Sequence, residues 1–257
     1  MALKPVADNT IHLKSPHEIE IMREAGRIVA RTVEELKRAA QPGVTTRDLD
    51  RVAAETFRKF GAKSTSLGYF EFPGHICVSV NDQVVHGIPG SRRLREGDLV
   101  KVDVAAMYRG YVGDTAASFG VGRLRPEVER LVEVTEGAMY RGIEQARPGQ
   151  RLSNISHAIQ THVEANRLEV VREFVGHGVG RSMHEPPQVP HFGPPGHGPL
   201  LKPGMCLAIE PQVNLGGRGV RILEDGWTAV TLDGRWSAHF EHTVAITPKG
   251  PVILTLP

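Results

Sequence analysis

The sequence predicts an α+β fold of two similar halves, each a helix pair packed on a curved antiparallel sheet. Three observations point there. Two stretches of helical periodicity precede a run of period-two strands, and that order then repeats along the chain. The helix stop Gln41-Pro42-Gly43 returns as Arg147-Pro148-Gly149, 106 residues later. At nearly the same offset, LREGDLVKVD (94–103) aligns with LKPGMCLAIE (201–210), which matches Leu94 to Leu201, Gly97 to Gly204 and Asp103 to Glu210. The repeat is far longer than that of a solenoid and implies a pseudo-twofold axis.

The elements follow in order. Residues 1–14 read as a short leader without an apolar segment, and 15–257 as a single domain with halves near 15–122 and 123–257. Ser15-Pro16-His17-Glu18 is a helix start, with Ser15 and Glu18 placed as a capping box. Ile19, Met22, Gly26, Val29, Val33 and Leu36 line one face of that helix. Thr45 and Asp48 open a second helix, lined by Leu49, Val52, Thr56, Phe57 and Phe60, and Gly61 closes it. Strands ICVSV, QVVHGI and LVKVDVAAM and a return arm follow to about residue 121. A third helix is expected from Pro126 to Ala146. Ser153 is expected to cap a fourth, carrying Ile155, Ile159 and Val163, and strands run from there to the end.

Composition bounds the function. With 40% hydrophobic residues and a net charge of +2, the chain has ample core and no bulk charge for a nucleic-acid partner. Cys77 and Cys206 form neither a CxxC pattern nor a disulfide framework. No run approaches membrane-spanning length. The expectation is a cytoplasmic protein with no membrane or nucleic-acid partner.

Asp103 and Asp114 interrupt two apolar strands. A two-residue turn at Arg109-Gly110 pairs 108 with 111, so Asp103 faces Ala116 and Asp114 faces Ala105. The two carboxylates are then diagonal neighbours on one face. They are either solvated on an open sheet or compensated by a proton or a cation. Glu210 in CLAIEPQV and Glu241 in AHFEHTVAI repeat the pattern, and His177 and His184 lie among the glycines and prolines of FVGHGVGRSMHEPPQ. Four buried carboxylates carry a charge that two divalent cations would neutralise. An oxygen-rich set with few imidazoles suits Mn, Fe, Co or Zn in a shared two-metal site rather than a structural zinc.

VVHGIP (84–89), the Asp103/Asp114 hairpin, GHGVGRSMHEPPQV (176–189), AIEPQVN (208–214) and FEHTV (240–244) together resemble the type I methionine aminopeptidases, over about 15–255. The resemblance implies the pita-bread fold and removal of the initiator methionine from nascent polypeptides. It implies Asp103, Asp114, His177, Glu210 and Glu241 as ligands of two divalent metals (Co, Mn, Fe or Zn), with Asp114 and Glu241 touching both. It implies His184 as oxyanion stabiliser, His86 at the scissile nitrogen, Glu210 as proton carrier, and attack by a metal-bridging hydroxide without an acyl-enzyme. The substrate's free amino group is expected on a metal. Tyr69, Phe72, Cys77, Met183 and Trp227, with Ser66 nearby, are implied as the pocket for the methionine side chain. Aromatic and sulfur groups suit a thioether. Ser66, Phe72 and Met183 depart from the family's commoner cysteine, tyrosine and phenylalanine.

Other residues are read as structural. His12, His17, His75, His157, His162, His191, His197 and His239 are taken as surface or packed histidines, and His242 as pointing away from the metal face. Cys206 is taken as core. GHGVG lacks the third glycine and the βαβ setting of a dinucleotide fingerprint. PHFGPPGHGPL (190–200) reads as a surface loop near the mouth of the site. Arg92, Arg93, Arg95 and Lys101 read as a solvated basic patch, with transient ribosome contact through the catalytic body left open. Two other functions stay open: an Xaa-Pro peptidase of the same fold, which usually carries an additional N-terminal domain, and a non-catalytic binding protein, which would have lost metal ligands.

Overall fold

The computed structural model describes residues 9–257; the first eight residues of the expected leader lie outside the described residues. The helices are α1 (Pro16–Ala39), α2 (Thr46–Phe60), α3 (Pro126–Gln145) and α4 (Ser153–Ala165). The first half carries strands β1 (Lys63–Ser64), β2 (Cys77–Val80), β3 (Leu99–Tyr108) and β4 (Tyr111–Gly120). The second carries β5 (Glu169–Val170), β6 (Gly176–Gly178), β7 (Glu185–Val189), β8 (Cys206–Ile209), β9 (Gln212–Asn214), β10 (Val220–Ile222), β11 (Ala229–Thr231), β12 (Ser237–His239), β13 (Glu241–Thr247) and β14 (Gly250–Ile253). The expected capping box forms at Ser15/Glu18, another forms at the Thr45/Asp48 helix start, and Gly61 closes α2 in the left-handed conformation.

A nine-stranded antiparallel sheet runs β1-β3-β4-β13-β8-β6-β7, with β2 on β3 and β14 on β13. The halves therefore share one sheet, joined at β4 and β13, where Glu241 pairs with Ala116. An antiparallel pair has a local twofold, and this one exchanges 116 with 241. Asp103 faces Ala116 across β3/β4. Extending the β13/β8 register by one residue sets Glu210 opposite Glu241. The axis thus carries Asp103 onto Glu210, the correspondence read from the repeat. The two helix pairs and the sheet face beneath them, including Val100, Val102, Val104, Leu131, Ile155 and Ile159, form one buried core.

α1 lies close against β4. A Cβ added at Gly113 would sit 2.6 Å from the Ala25 carbonyl carbon, and one at Gly26 would sit 2.2 Å from the Leu254 carbonyl oxygen. Glycine at those two positions lets the backbones approach without overpacking.

Four expectations need correction. QVVHGI is not a strand: Val84 and Val85 exchange backbone hydrogen bonds with Ala229, but the chain then turns through His86 at φ 59°. Ser153 does not cap α4; its hydroxyl accepts from the His197 amide, while Leu152 stands at the cap position. Residues 190–200 are not wholly a surface loop, since His191 is buried against Glu210. They fold over the start of α4, where Leu152 N–H donates to Pro199 O and Ser153 N–H to His197 O. Lys101 is not a solvated cation. It is 2% exposed, and its ammonium donates to Asn81 O at 2.7 Å and Ser237 O at 3.0 Å, tying the two halves together. Of residues 9–14, Ile11 packs against the core and Lys14 is buried: Lys14 pairs with Glu185 at 2.6 Å, and its amide donates to Gly204 O.

Candidate metal centre

The Arg109-Gly110 turn has both residues at positive φ, 49° and 81°, as a two-residue hairpin of right-handed strands requires. The resulting register places Asp103 opposite Ala116 and Asp114 opposite Ala105. His177 pairs with Ala208, two residues from Glu210, so alternation sends His177 and Glu210 to one face. Five neighbouring strands thus aim Asp103, Asp114, Glu241, Glu210 and His177 at one cavity of about 360 Å³. Its walls also include His86, His184, Ser66, Tyr69, Phe72, Cys77, Met183 and Trp227. All the residues singled out in the sequence for metal, catalysis or substrate therefore meet in one place.

The cluster is electrostatically incomplete. Burial raises the pKa of Asp103 from 3.8 to about 7. Burial first and Asp103 second push Asp114 well up. Burial does the same to Glu210 and Glu241, reinforced at both by neighbouring carboxylates. His177 Nδ1 lies 2.9 Å from the Gly178 carbonyl, which only accepts, so Nδ1 bears the proton and Nε2 carries a lone pair. That lone pair faces Glu210 Oε1 at 3.4 Å and Asp114 Oδ2 at 3.8 Å. Glu241 Oε1 is buried with no hydrogen-bond partner among the described residues. One ligand atom each from Asp114, His177 and Glu241 falls within 4.8 Å of the others. Acceptor-only atoms converging on buried space fit a divalent cation, with the imidazole in the ligating tautomer.

The two histidines of the cavity wall outside the cluster stay neutral. Burial holds His184 at about 3, with His177 adding to the shift, and His86 at about 4, with His184 adding. Gly87 presses against β2, where a Cβ would meet Val78 O at 2.3 Å, and this close approach brings His86 to the cavity wall. Phe72 and Trp227 meet edge to face at 5.1 Å, and His86 meets Trp227 at 6.0 Å. The Thr65 hydroxyl donates to Met183 Sδ at 3.3 Å. Cys77 pairs with Asp103 across β2/β3, and burial together with that carboxylate raises its thiol well above the usual range.

Two histidines read as structural lie against the site. His191 and His239 are both buried. His191 Nε2 accepts the Glu210 backbone N–H at 3.2 Å, and His239 Nε2 lies 3.8 Å from Glu210 Oε2. Gln212 Nε2 donates to the same Oε2 at 3.0 Å. His239 stands two residues before Glu241, and this spacing is the signal that would have found it; nothing local marks His191. His242 points away and meets the Thr255 hydroxyl at 2.8 Å. Phe70, Phe174 and Ile222, none of them singled out in the sequence, complete the apolar wall.

Residues 20–248 match the model of metallopeptidase family M24. The chain belongs to that family. This M24 peptidase is 57% identical over 242 residues to methionine aminopeptidase 1 of Bacillus subtilis strain 168, covering 94% of this chain and 98% of that one. It is 52% identical to the methionine aminopeptidase of Clostridium perfringens, covering 96% and 99%. The crystal structure of methionine aminopeptidase from Thermotoga maritima superposes with a TM-score of 0.95 at 45% identity, over 96% of this chain and all of that one. A prolidase from Pyrococcus furiosus shares the fold at 22% identity and a TM-score of 0.73, with 65% of its length covered. The architecture is the pita-bread fold.

Proposed function

We propose that Asp103, Asp114, His177, Glu210 and Glu241 hold two divalent cations, drawn from Co, Mn, Fe and Zn. With them this aminopeptidase removes the N-terminal methionine of nascent polypeptides. The observation that carries the reading is the His177 Nε2 lone pair facing Glu210 Oε1 at 3.4 Å and Asp114 Oδ2 at 3.8 Å in buried space. Cations bound there supply a Lewis acid for the scissile carbonyl and acidify water toward neutrality.

The chain's own groups do the rest. Phe72, Trp227, Met183, Tyr69 and Cys77 receive the thioether side chain, and T-shaped aromatic walls suit its polarizable sulfur. His184 donates to the oxygen of the attacked carbonyl as negative charge develops on it. His86, held neutral beside Trp227, aligns the scissile nitrogen. Glu210, whose Oε2 accepts from the Gln212 amide, takes up a proton and releases it to the departing amine. No serine or cysteine serves as nucleophile, in keeping with the inert Cys77 thiol. We assign the enzyme to the cytoplasm, where nascent chains emerge. No helix among the described residues is long and apolar enough to cross a membrane. Any ribosome contact would be transient.

The test is hydrolysis of Met-Gly-Gly against Xaa-Pro peptides, with and without chelator. Chelator-sensitive release of methionine alone is expected. Cleavage of Xaa-Pro peptides instead, or of neither substrate across Mn, Fe, Co and Zn, would refute the assignment.

A further inference from the structure

Tyr69 does more than line the pocket. The turn that carries it is unusual: Gly68, Phe70 and Glu71 all adopt positive φ, at 82°, 43° and 69°. Phe72 N–H donates back to Tyr69 O at 2.9 Å and closes the turn. The result sets the Tyr69 hydroxyl 2.8 Å from His184 Nδ1, with the two rings 5.4 Å apart and inclined by 33°. His184 Nε2 has no hydrogen-bond partner among the described residues and is not sealed from the cavity. The His184 ring also lies 4.2 Å from the ring of His177.

A neutral imidazole has one N–H and one lone pair, and the partner of one nitrogen decides the state of the other. If Nδ1 accepts from Tyr69, Nε2 bears the proton. It can then donate to an oxyanion and cannot bind a metal. If Nδ1 instead donates to the phenol oxygen, Nε2 presents a bare lone pair. That lone pair would repel an oxyanion and compete for the cations beside His177. Nδ1 is the only recorded hydrogen-bond partner of the phenol among the described residues. Burial keeps the phenol protonated and able to donate.

We propose that Tyr69 is a positioning residue whose hydroxyl donates to His184 Nδ1, fixing the ring proton on Nε2, so that His184 acts as a donor to the substrate oxyanion and stays out of the metal shell. This deepens the reading above and rests on its role for His184.

The test is ring ¹⁵N NMR of the zinc-loaded full chain, with His184 assigned by the missing signal of His184→Gln, together with steady-state kinetics on Met-Gly-Gly. The wild type is expected to show His184 in the Nε2–H tautomer alone. Tyr69→Phe is expected to lose that preference and to lower kcat by about tenfold at nearly constant KM. An Nδ1–H signal in the wild type would overturn the proposal. So would Tyr69→Phe that keeps the Nε2–H tautomer, or that raises KM with kcat intact, since Tyr69 would then be a pocket wall only. His184→Gln separates the two readings. If it retained wild-type kcat, the oxyanion role would fail, while the tautomer measurement would still report on Tyr69.

Discussion

Replacing Asp103, a proposed metal ligand, should stabilise the metal-free protein. Asp103 has an ordinary pKa of 3.8, and burial raises it to about 7 in the folded chain. A raised carboxyl pKa means that the native state binds the proton more tightly than the unfolded state does. Its contribution is therefore fully present below the unfolded value and is lost as pH rises through the folded one. Three pKa units at about 1.4 kcal/mol each give a cost near 4 kcal/mol above neutrality, and about 2 kcal/mol of it is already lost at about pH 5.5. Asp103 keeps some contact with solvent, which screens part of this. Asp103→Asn cannot ionise, and it also relieves Asp114, Glu210 and Glu241, each of which is raised in part by Asp103. The variant should exceed the wild type in urea denaturation with excess chelator, by a margin that widens by about 1–2 kcal/mol between about pH 5.5 and 8.5. The difference isolates the carboxyl, because the buried histidines, lowered to about 3 or 4, are common to both proteins and act in the opposite direction. Saturating divalent cation should reverse the ranking, since only the intact site gains binding energy. A pH-independent gap, or a variant less stable than the wild type at high pH without metal, would refute this account of the cluster.

Two further predictions follow from single contacts. His184→Ala should lower kcat on Met-Gly-Gly by about a hundredfold with metal content unchanged, as loss of an oxyanion donor does; unchanged kcat would remove His184 from the reaction. Lys101→Met should destabilise the fold by about 1–3 kcal/mol in chemical denaturation, because the Asn81 and Ser237 carbonyls lose a buried donor. A neutral effect there would show that the ammonium does not tie the halves together.

The parts of the molecule readable from sequence were those fixed locally or by repetition. The Arg109-Gly110 turn sets the β3/β4 register, so the Asp103/Asp114 juxtaposition follows from two residues and strand alternation. The repeat paired Asp103 with Glu210, and the β4/β13 twofold realises that pairing. What stayed hidden depends on chain arriving from far away. Lys101 shares the face of Asp103 and looks solvated in sequence, but Ser237, 136 positions on, covers it. His191 reaches Glu210 from a loop with no periodicity. Ser153 has the chemistry of a cap, yet the 190–200 segment claims its hydroxyl. His86 lies in an apolar run that reads as a strand. Gly87 against β2 and the positive φ at His86 turn that run into a loop and bring the imidazole to the cavity.

Anomalous diffraction at the metal edge, from crystals of the manganese- or zinc-loaded protein, tests the central claim most directly. Two peaks within bonding distance of Asp103, Asp114, His177, Glu210 and Glu241, with Asp114 and Glu241 shared, are expected. No peak in this cavity at saturating metal, or one held by other residues, would contradict it.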